Sequence, residues 1–172
     1  MHYFSYNKNI AKLGGSLGAI FGGSTDYMFY NTFYNCTSLT EIPSGLFDGV
    51  SGSGDSMFYN TFSGCSSLKS LPNGLFKNFT GKPEYYMFVS TFSGCTNLTG
   101  YIPYDMFANL DSTDFETYNM SSIFYNTSLD TVCPEGTYQY ITGFEDTWDY
   151  KVACAPCPGG ICAVDGECTD AG

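Results

Sequence analysis

The chain has 172 residues, enough for one domain with a buried core but too few for two domains of ordinary size. Six lysines, no arginine and 17 acidic residues give a net charge of −11, which removes the cationic surface that nucleic-acid binding requires. Acidic disordered chains are poor in aromatic residues, whereas this one has 15 Phe and 15 Tyr. We therefore expect a folded chain whose surface is mainly Ser, Thr, Asn, Gly and Tyr. No apolar stretch reaches the roughly 18 residues of a membrane span.

The N-terminal segment begins inside a repeated unit. Phe4, Ile10 and Leu13 have the spacing of Phe33, Leu39 and Ile42, with Asn7 at the position of Cys36. Met1 is followed at once by His2, Tyr3 and Phe4, without the basic and apolar regions of a secretory signal. The expectation is either a chain that is not exported or a mature or excised portion of a longer one.

Three copies of one block follow. Each runs Met-Phe-x-x-Thr-Phe-x-x-Cys and is followed by a leucine and a proline-containing turn, beginning at Met28, Met57 and Met87. A degraded fourth copy places Ile123, Asn126, Leu129 and Val132 where the second has Phe62, Cys65, Leu68 and Leu71. A period of about 30 residues indicates a repeat architecture in which neighbouring units complete one another's core.

The pattern within one unit predicts its local structure. Met57, Phe58, Phe62 and Cys65 fall on one face at helical spacing, which predicts a short helix. The segment 67–71 is too short for a helix and is ended by Pro72, so it predicts a short strand. A further turn of α- or 3₁₀-helix is expected at Leu75–Phe79.

Stacked units of this kind predict an α/β solenoid with short helices and a parallel sheet. Side chains of one kind should form columns inside. One column is Phe33, Phe62 and Phe92, ended by Ile123; a second is Phe47, Phe76 and Phe107.

The repeat resembles the leucine-rich repeat class, specifically the bacterial surface type called BspA-like. The residues that carry the resemblance are Phe62, Cys65, Leu68, Leu71 and Pro72, with the same set in the flanking copies, over residues 4–132. It implies a leucine-rich-repeat solenoid over 1–132, in about four to five units with the first incomplete. The linkers 48–56, 77–86 and 108–117 share little sequence and are predicted to be loops. They form either a binding surface or solvent-exposed connections without a binding role.

The eight cysteines fall into two sets. Cys36, Cys65 and Cys95 recur with the repeat on its inward face and predict a buried ladder of free thiols. A bridge between adjacent units is also compatible with the spacing of stacked strands.

The other five cysteines lie in the C-terminal segment 133–172. Cys133-Pro-Glu-Gly-Thr-Tyr138 followed by Cys154-Ala-Pro-Cys157 resembles the small ephrin-receptor-like modules of extracellular receptors. This resemblance implies a disulfide-rich capping module in an oxidising compartment, with Cys133 paired to Cys154 and Cys157 to Cys168. Cys162 is then free, paired with a cysteine of the repeats, or paired beyond Gly172. A zinc site is the competing interpretation of Cys154 and Cys157.

Catalytic chemistry has few candidates. His2 is the only histidine, so a Ser-His or Cys-His nucleophile pair lacks a base, and we expect no enzyme activity and no cofactor or metal. Acidic residues cluster in a linker and in the tail, which favours solvated loops and leaves calcium ligation as the alternative: Asp105, Asp111, Asp114, Glu116, Glu145, Asp146 and Asp149. Five Asn-x-Ser/Thr sequences are possible glycosylation sites: Asn35, Asn78, Asn97, Asn119 and Asn126.

These features predict a non-enzymatic extracellular or cell-surface protein that binds a protein or glycan partner. The candidate contacts are exposed strand positions and tyrosines: Glu41, Lys69, Ser70, Thr99, Tyr85, Tyr86, Tyr101 and Tyr104. The alternative is a subunit of an extracellular filament or surface layer, built from copies of itself, because an open repeat end can contact a neighbour head to tail.

Overall fold

The computed structural model describes residues 3–21, 23, 25–111, 117–133, 137–141 and 153–156. Several residues singled out above lie outside these ranges: His2, Asp114, Glu116, Glu145, Asp146, Asp149, Cys157, Cys162 and Cys168. The pairing of Cys157 with Cys168 therefore remains a prediction. The zinc interpretation is wrong for Cys154, because this residue forms a disulfide with Cys133 and cannot supply the thiolate that zinc needs.

Regular secondary structure is sparse in the described chain. A 3₁₀ turn at Leu17–Ala19 and the helix α1 at Thr117–Met120 accompany five short strands: β1 Thr99–Gly100, β2 Ile102–Pro103, β3 Ser128–Leu129, β4 Thr137–Ile141 and β5 Ala153–Pro156. β1 and β3 pair in parallel. In a second sheet β5 lies between β2 and β4, parallel to β2 and antiparallel to β4.

Most of the repeat consists of turn ribbons, our name for the segments 3–7, 27–36, 56–65, 86–95 and 118–127. In the ribbon 56–65, the N–H groups of Phe58 and Phe62 donate to Met87 and Thr91 of the next ribbon, both at 2.8 Å. The intervening N–H of Thr61 donates to the carbonyl of Phe58 at 3.1 Å and closes a β-turn. Every second amide thus reaches the next ribbon, and the others close turns.

The helix predicted over Met57–Cys65 is wrong, and so is the helical turn predicted after Pro72. Both segments are successive turns. A helix needs several consecutive residues in the right-handed α region, but Ser56 and Asn60 have φ of 54° and Gly64 of 76°. A left-handed residue at every fourth position keeps side chains on one face without forming a helix, which is why the periodicity was misleading.

The residue types at these left-handed positions fit the geometry. Asn tolerates positive φ better than other non-glycine residues because its short side chain is small and polar. Asn31, Asn35, Asn60 and Asn126 have φ between 53° and 57°. Gly64 also permits a close contact, since Asn35 Oδ1 occupies the space that a Cβ on Gly64 would fill.

A parallel ladder runs along the segments that were predicted as strands. The N–H of Thr40 donates to Ala11 at 3.0 Å, that of Lys69 to Thr40 at 3.3 Å and that of Thr99 to Lys69 at 3.1 Å. The segment 67–71 takes part through Lys69 but is not itself a regular strand, because one hydrogen bond joins it to each neighbour. Pro103 lies inside β2 rather than after it.

Three columns of stacked phenylalanines fill the space between the ribbons and the ladder. Adjacent rings in each column lie 5.3–5.7 Å apart and within 16° of parallel: Phe4, Phe33, Phe62, Phe92 and Phe124; Phe29, Phe58 and Phe88; Phe47, Phe76 and Phe107. The middle column, through Phe29, Phe58 and Phe88, was not predicted. Its members were assigned to a helix face instead of to a register position.

The fourth copy differs from the sequence alignment in three places. Phe124, not Ile123, stacks on Phe92, because the N–H of Phe92 donates to Ile123 and so places Ile123 opposite Thr91. Asn126 has positive φ and takes the position of Gly94, not that of Cys95. Val132 is 75% exposed. The buried position expected for it is taken by Ala153, which pairs with Ile102.

The described part of the C-terminal segment is continuous with the repeats. β5 adds to β2 in parallel register, with Pro103 opposite Cys154. Ala153, Cys154 and Ala155 are buried. This part of segment 133–172 therefore packs as a continuation of the last complete unit.

We expect Phe62→Ala to lower the free energy of unfolding by about 3 to 5 kcal/mol, because it removes a ring that is 0% exposed and leaves a cavity between Phe33 and Phe92. Phe4→Ala is the matched control at the end of the same column. Its ring is 43% exposed, so the loss should be no more than about 2 kcal/mol. Urea unfolding followed by tyrosine fluorescence measures both, and equal losses would contradict the stacked arrangement.

Asn60→Val should lower the free energy of unfolding by about 1 to 2 kcal/mol, because a β-branched residue is forced into the left-handed region. Ser70→Val is the control, at an exposed ladder position that does not have positive φ, and should change stability by less than about 0.5 kcal/mol. Thermal unfolding by circular dichroism compares the two variants. A smaller effect at Asn60 than at Ser70 would contradict the ribbon geometry.

Candidate functional site

Cys36, Cys65 and Cys95 are free and buried. Each thiol donates to a carbonyl of the preceding ribbon: Cys36 to Phe4 at 3.1 Å, Cys65 to Phe33 at 3.2 Å and Cys95 to Phe62 at 3.2 Å. The three side chains therefore connect successive layers by hydrogen bonds and not by disulfides. They line the core and reach no surface at which a substrate could bind.

Burial also makes these thiols unreactive. Removal from water disfavours the thiolate, and it raises the pKa of Cys95 to about 12 and moves the pKa of Cys65 and Cys36 upward as well. A nucleophilic cysteine needs the opposite shift. The ladder is thus a structural element.

The acidic residues that the structure describes do not form a cation site. Asp105 accepts the N–H of Gly74 through Oδ1 at 3.0 Å and so holds the turn after Pro72. Within the described ranges, no three His, Cys, Asp or Glu side chains come together as metal ligands would.

The predicted strand contacts lie on one exposed face, the ladder face, formed by Glu41, Lys69, Ser70 and Thr99. All four residues are exposed. Glu41 forms a 2.7 Å ion pair with Lys12 of the first layer, and the Thr99 hydroxyl donates to the carbonyl of Lys69 at 3.3 Å. This face therefore combines two charged side chains, Glu41 and Lys69, with the two hydroxyl side chains of Ser70 and Thr99.

The predicted tyrosine contacts separate into two places. Tyr85 and Tyr86 form a tyrosine cluster with Tyr118, with ring centroids 3.9 Å apart for the first two and 5.4 Å for Tyr85 and Tyr118. The Tyr85 hydroxyl donates to that of Tyr86 at 3.0 Å, and this hydrogen bond raises the pKa of Tyr85. Tyr101 and Tyr104 are exposed and flank β2.

A second aromatic surface was not predicted from the sequence. This tyrosine patch lies on the first three ribbons and consists of Tyr6, Tyr27, Tyr30, Tyr34 and Tyr59. Tyr30 stacks on Tyr59 at 5.1 Å, and Tyr6 meets Tyr34 edge-on at 5.3 Å. The 29-residue separation of Tyr30 and Tyr59 was the available signal, but the predicted helix obscured which side of the ribbon they occupy.

The five possible glycosylation sites are not equivalent. Asn119 is buried, and the side-chain amides of Asn78 and Asn97 donate to the carbonyls of Phe47 and Ser66. Asn35 is half-buried with its side chain against Gly64. Asn126, which the sequence alignment placed in the core, is exposed. Asn97 is exposed too, but its amide is held by the Ser66 carbonyl, so Asn126 is the more accessible of these two sites.

A disulfide joins Cys133 to Cys154, with the two Cα atoms 5.6 Å apart. It closes the chain between β3 and β5, and so fastens the last strand of the second sheet to the end of the repeats. No helix among the described residues has the length and apolarity needed to cross a bilayer.

No protein-family model matches the chain, and neither a curated protein nor a solved structure matches it.

We expect Cys36, Cys65 and Cys95 to resist alkylation by iodoacetamide at pH 8 in the native protein and to react fully in 6 M guanidinium, read by peptide mass spectrometry. Their native pKa values lie above those of an unfolded chain, so the stability that they contribute is complete below about pH 9 and is lost as the pH rises above that value. Rapid native alkylation of Cys65 would contradict this.

Proposed function

We propose that the chain is a non-enzymatic, extracellular or cell-surface repeat protein of the leucine-rich class that binds a protein or glycan partner. The observation that supports it best is the division between interior and surface. Phe, Cys and Thr at the inward positions hold the layers together, while tyrosines are presented on the outward side of the ribbons. A rigid stack with an aromatic exterior is suited to recognition.

The tyrosine cluster is the proposed contact region. Tyr85, Tyr86 and Tyr118 are 50%, 38% and 46% exposed. Tyr86 and Tyr118 begin two successive ribbons, and Tyr85 directly precedes the first of them. Tyrosine contributes a large contact area with few rotatable bonds, and its hydroxyl adds a hydrogen bond. A partner of low or positive charge suits the chain, whose net charge is −11.

A compartment outside the cytosol is consistent with the Cys133–Cys154 bond, because disulfides persist in oxidising surroundings. Assembly into a filament or surface layer is the second proposal. The exposed Tyr3, Phe4 and Ile20 of the first layer favour it. Electron microscopy of the purified chain tests it, and monodisperse monomers at high concentration would contradict it.

The binding proposal is tested on arrays of glycans and extracellular proteins, followed by affinity measurement for each hit. Combining Tyr85→Ser with Tyr86→Asn should weaken binding at least about tenfold, because it removes two aromatic anchors of the kind that dominate interface energies. Asn is chosen at position 86 because φ there is 56°. Tyr125→Asn, at an exposed tyrosine of the last ribbon, is the control and should bind as the unmodified chain does.

Two results would contradict the proposal. One is the absence of any reproducible ligand on either array. The other is equal loss of affinity in the cluster variant and the Tyr125→Asn control, with both proteins retaining the native melting temperature.

A further inference from the structure

The first layer has an outer side on which no other described layer is stacked, and we call it the N-terminal face. Tyr3, Phe4 and Ile20 on it are 50%, 43% and 72% exposed. Phe4 occupies the register position of Phe33, which is 1% exposed in the next layer. One side of the Phe4 ring stacks on Phe33, 5.5 Å away and within 7° of parallel. The other side has the geometry of an internal stacking surface without the next ring.

The backbone of this face follows the same pattern. The carbonyl of Tyr34 accepts from the amide of Tyr6 at 2.7 Å, and the amide of Thr40 donates to Ala11 at 3.0 Å. Ser5 and Ala11 are the equivalents of Tyr34 and Thr40 one layer earlier. The Ser5 carbonyl and the Ala11 amide have no partner in the described part of the chain. The face therefore presents an acceptor on its ribbon and a donor on its ladder.

A buried hydroxyl provides independent evidence. Thr61 Oγ1 donates to the carbonyl of Phe29 at 2.9 Å, and Thr91 Oγ1 to that of Phe58 at 3.0 Å. Thr32 is the next member of this column toward the N-terminus and is 2% exposed, but its hydroxyl has no partner among the described residues. Its register partner would be a carbonyl in a layer stacked on this face. A buried hydroxyl without a partner is costly, and another backbone layer would satisfy it.

We propose that the N-terminal face is a docking surface for a further turn ribbon of this same repeat, held by main-chain hydrogen bonds and by a phenylalanine stacked on Phe4. A ribbon supplies an N–H for the Ser5 carbonyl, a C=O for the Ala11 amide and a C=O for Thr32 at the spacing that the layers already use. A smooth apolar surface would bury the same groups unpaired. This mode of binding is the addition of an extended backbone segment to an open edge.

This surface is separate from the tyrosine cluster, so the proposal does not depend on the proposed binding function. It is an alternative to filament assembly, which would place a second copy of the chain on the same face. The N-terminal face is at the end of the stack, whereas the cluster is on the outward side of the ribbons 86–95 and 118–127. The two proposals are tested by separate measurements. Ligand binding is measured on arrays, and docking of a ribbon on the N-terminal face is measured by thermal unfolding.

The test places a copy of residues 30–58 directly before Met1 in the full chain. The copy's Phe58 then lies 29 positions before Phe29, and its Phe33 lies 29 positions before Phe4. We expect the melting temperature to rise by at least about 4 °C relative to a control in which the copy's Phe33 and Phe58 are changed to serine. Equal melting temperatures of copy and control would overturn the proposal.

The hydroxyl gives a second readout that an unfolded extension could not mimic. In the unmodified chain, Thr61→Val should lower the melting temperature by about 2 to 4 °C through one lost hydrogen bond, whereas Thr32→Val should not lower it. In the extended chain, Thr32→Val should lower the melting temperature as Thr61→Val does. A Thr32→Val variant without effect in both chains would overturn the proposal.

Sedimentation of the unmodified chain tests whether the N-terminal face instead binds a second copy of the chain. A dimer that Ile20→Asp dissociates, together with no stabilisation from the added ribbon, would assign the face to a second copy of the chain and overturn the proposal. A monomer together with stabilisation by the added ribbon supports it.

Discussion

The fold depends on the way in which each ribbon divides its backbone hydrogen bonds. In the ribbon 56–65, Phe58, Asn60 and Phe62 donate to the next ribbon, while Thr61 and Ser63 close local turns. Neither class is sufficient alone, because isolated turns are weak and a buried unpaired amide is costly. Together they fix the distance between layers, and the ring separations of 5.3–5.4 Å at Phe62 follow from it.

Buried side chains add hydrogen bonds in the opposite direction. The ribbon amides donate forward along the stack, whereas the Thr61 hydroxyl and the Cys65 thiol donate backward to Phe29 and Phe33. Each of those carbonyls also accepts the amide of the residue three positions later, so both of its lone pairs are used. This explains why Thr and Cys recur in an otherwise apolar core: they connect layers without leaving a buried donor unpaired.

The interior and the exterior of the stack are under different constraints. A substitution at an inward position affects two neighbouring layers, because the ring or hydroxyl of the side chain contacts both. An outward position contacts fewer groups. The register position held by Tyr34 accordingly holds Ser63, Ser93 and Tyr125 in the next three ribbons, and none of the four is buried. Surface chemistry can therefore vary from layer to layer on an unchanged framework, which supports a binding role on the ribbon side. The N-terminal face differs because its Ser5 carbonyl, Ala11 amide and Thr32 hydroxyl occupy inter-layer positions and have no partner among the described residues.

The sequence by itself determined the period, the inward position of the three cysteines and two of the three phenylalanine columns, because these depend only on spacing. Tertiary structure decided the rest. A left-handed residue at every fourth position gives the same apolar spacing as a helix, so only the hydrogen bonds between layers distinguish turn ribbons from helices at Met57–Cys65. Those bonds also placed Phe124 on Phe92 and Ala153 beside Ile102. Long-range contacts decide which layer a residue joins, and the local spacing of residues in the sequence does not specify them.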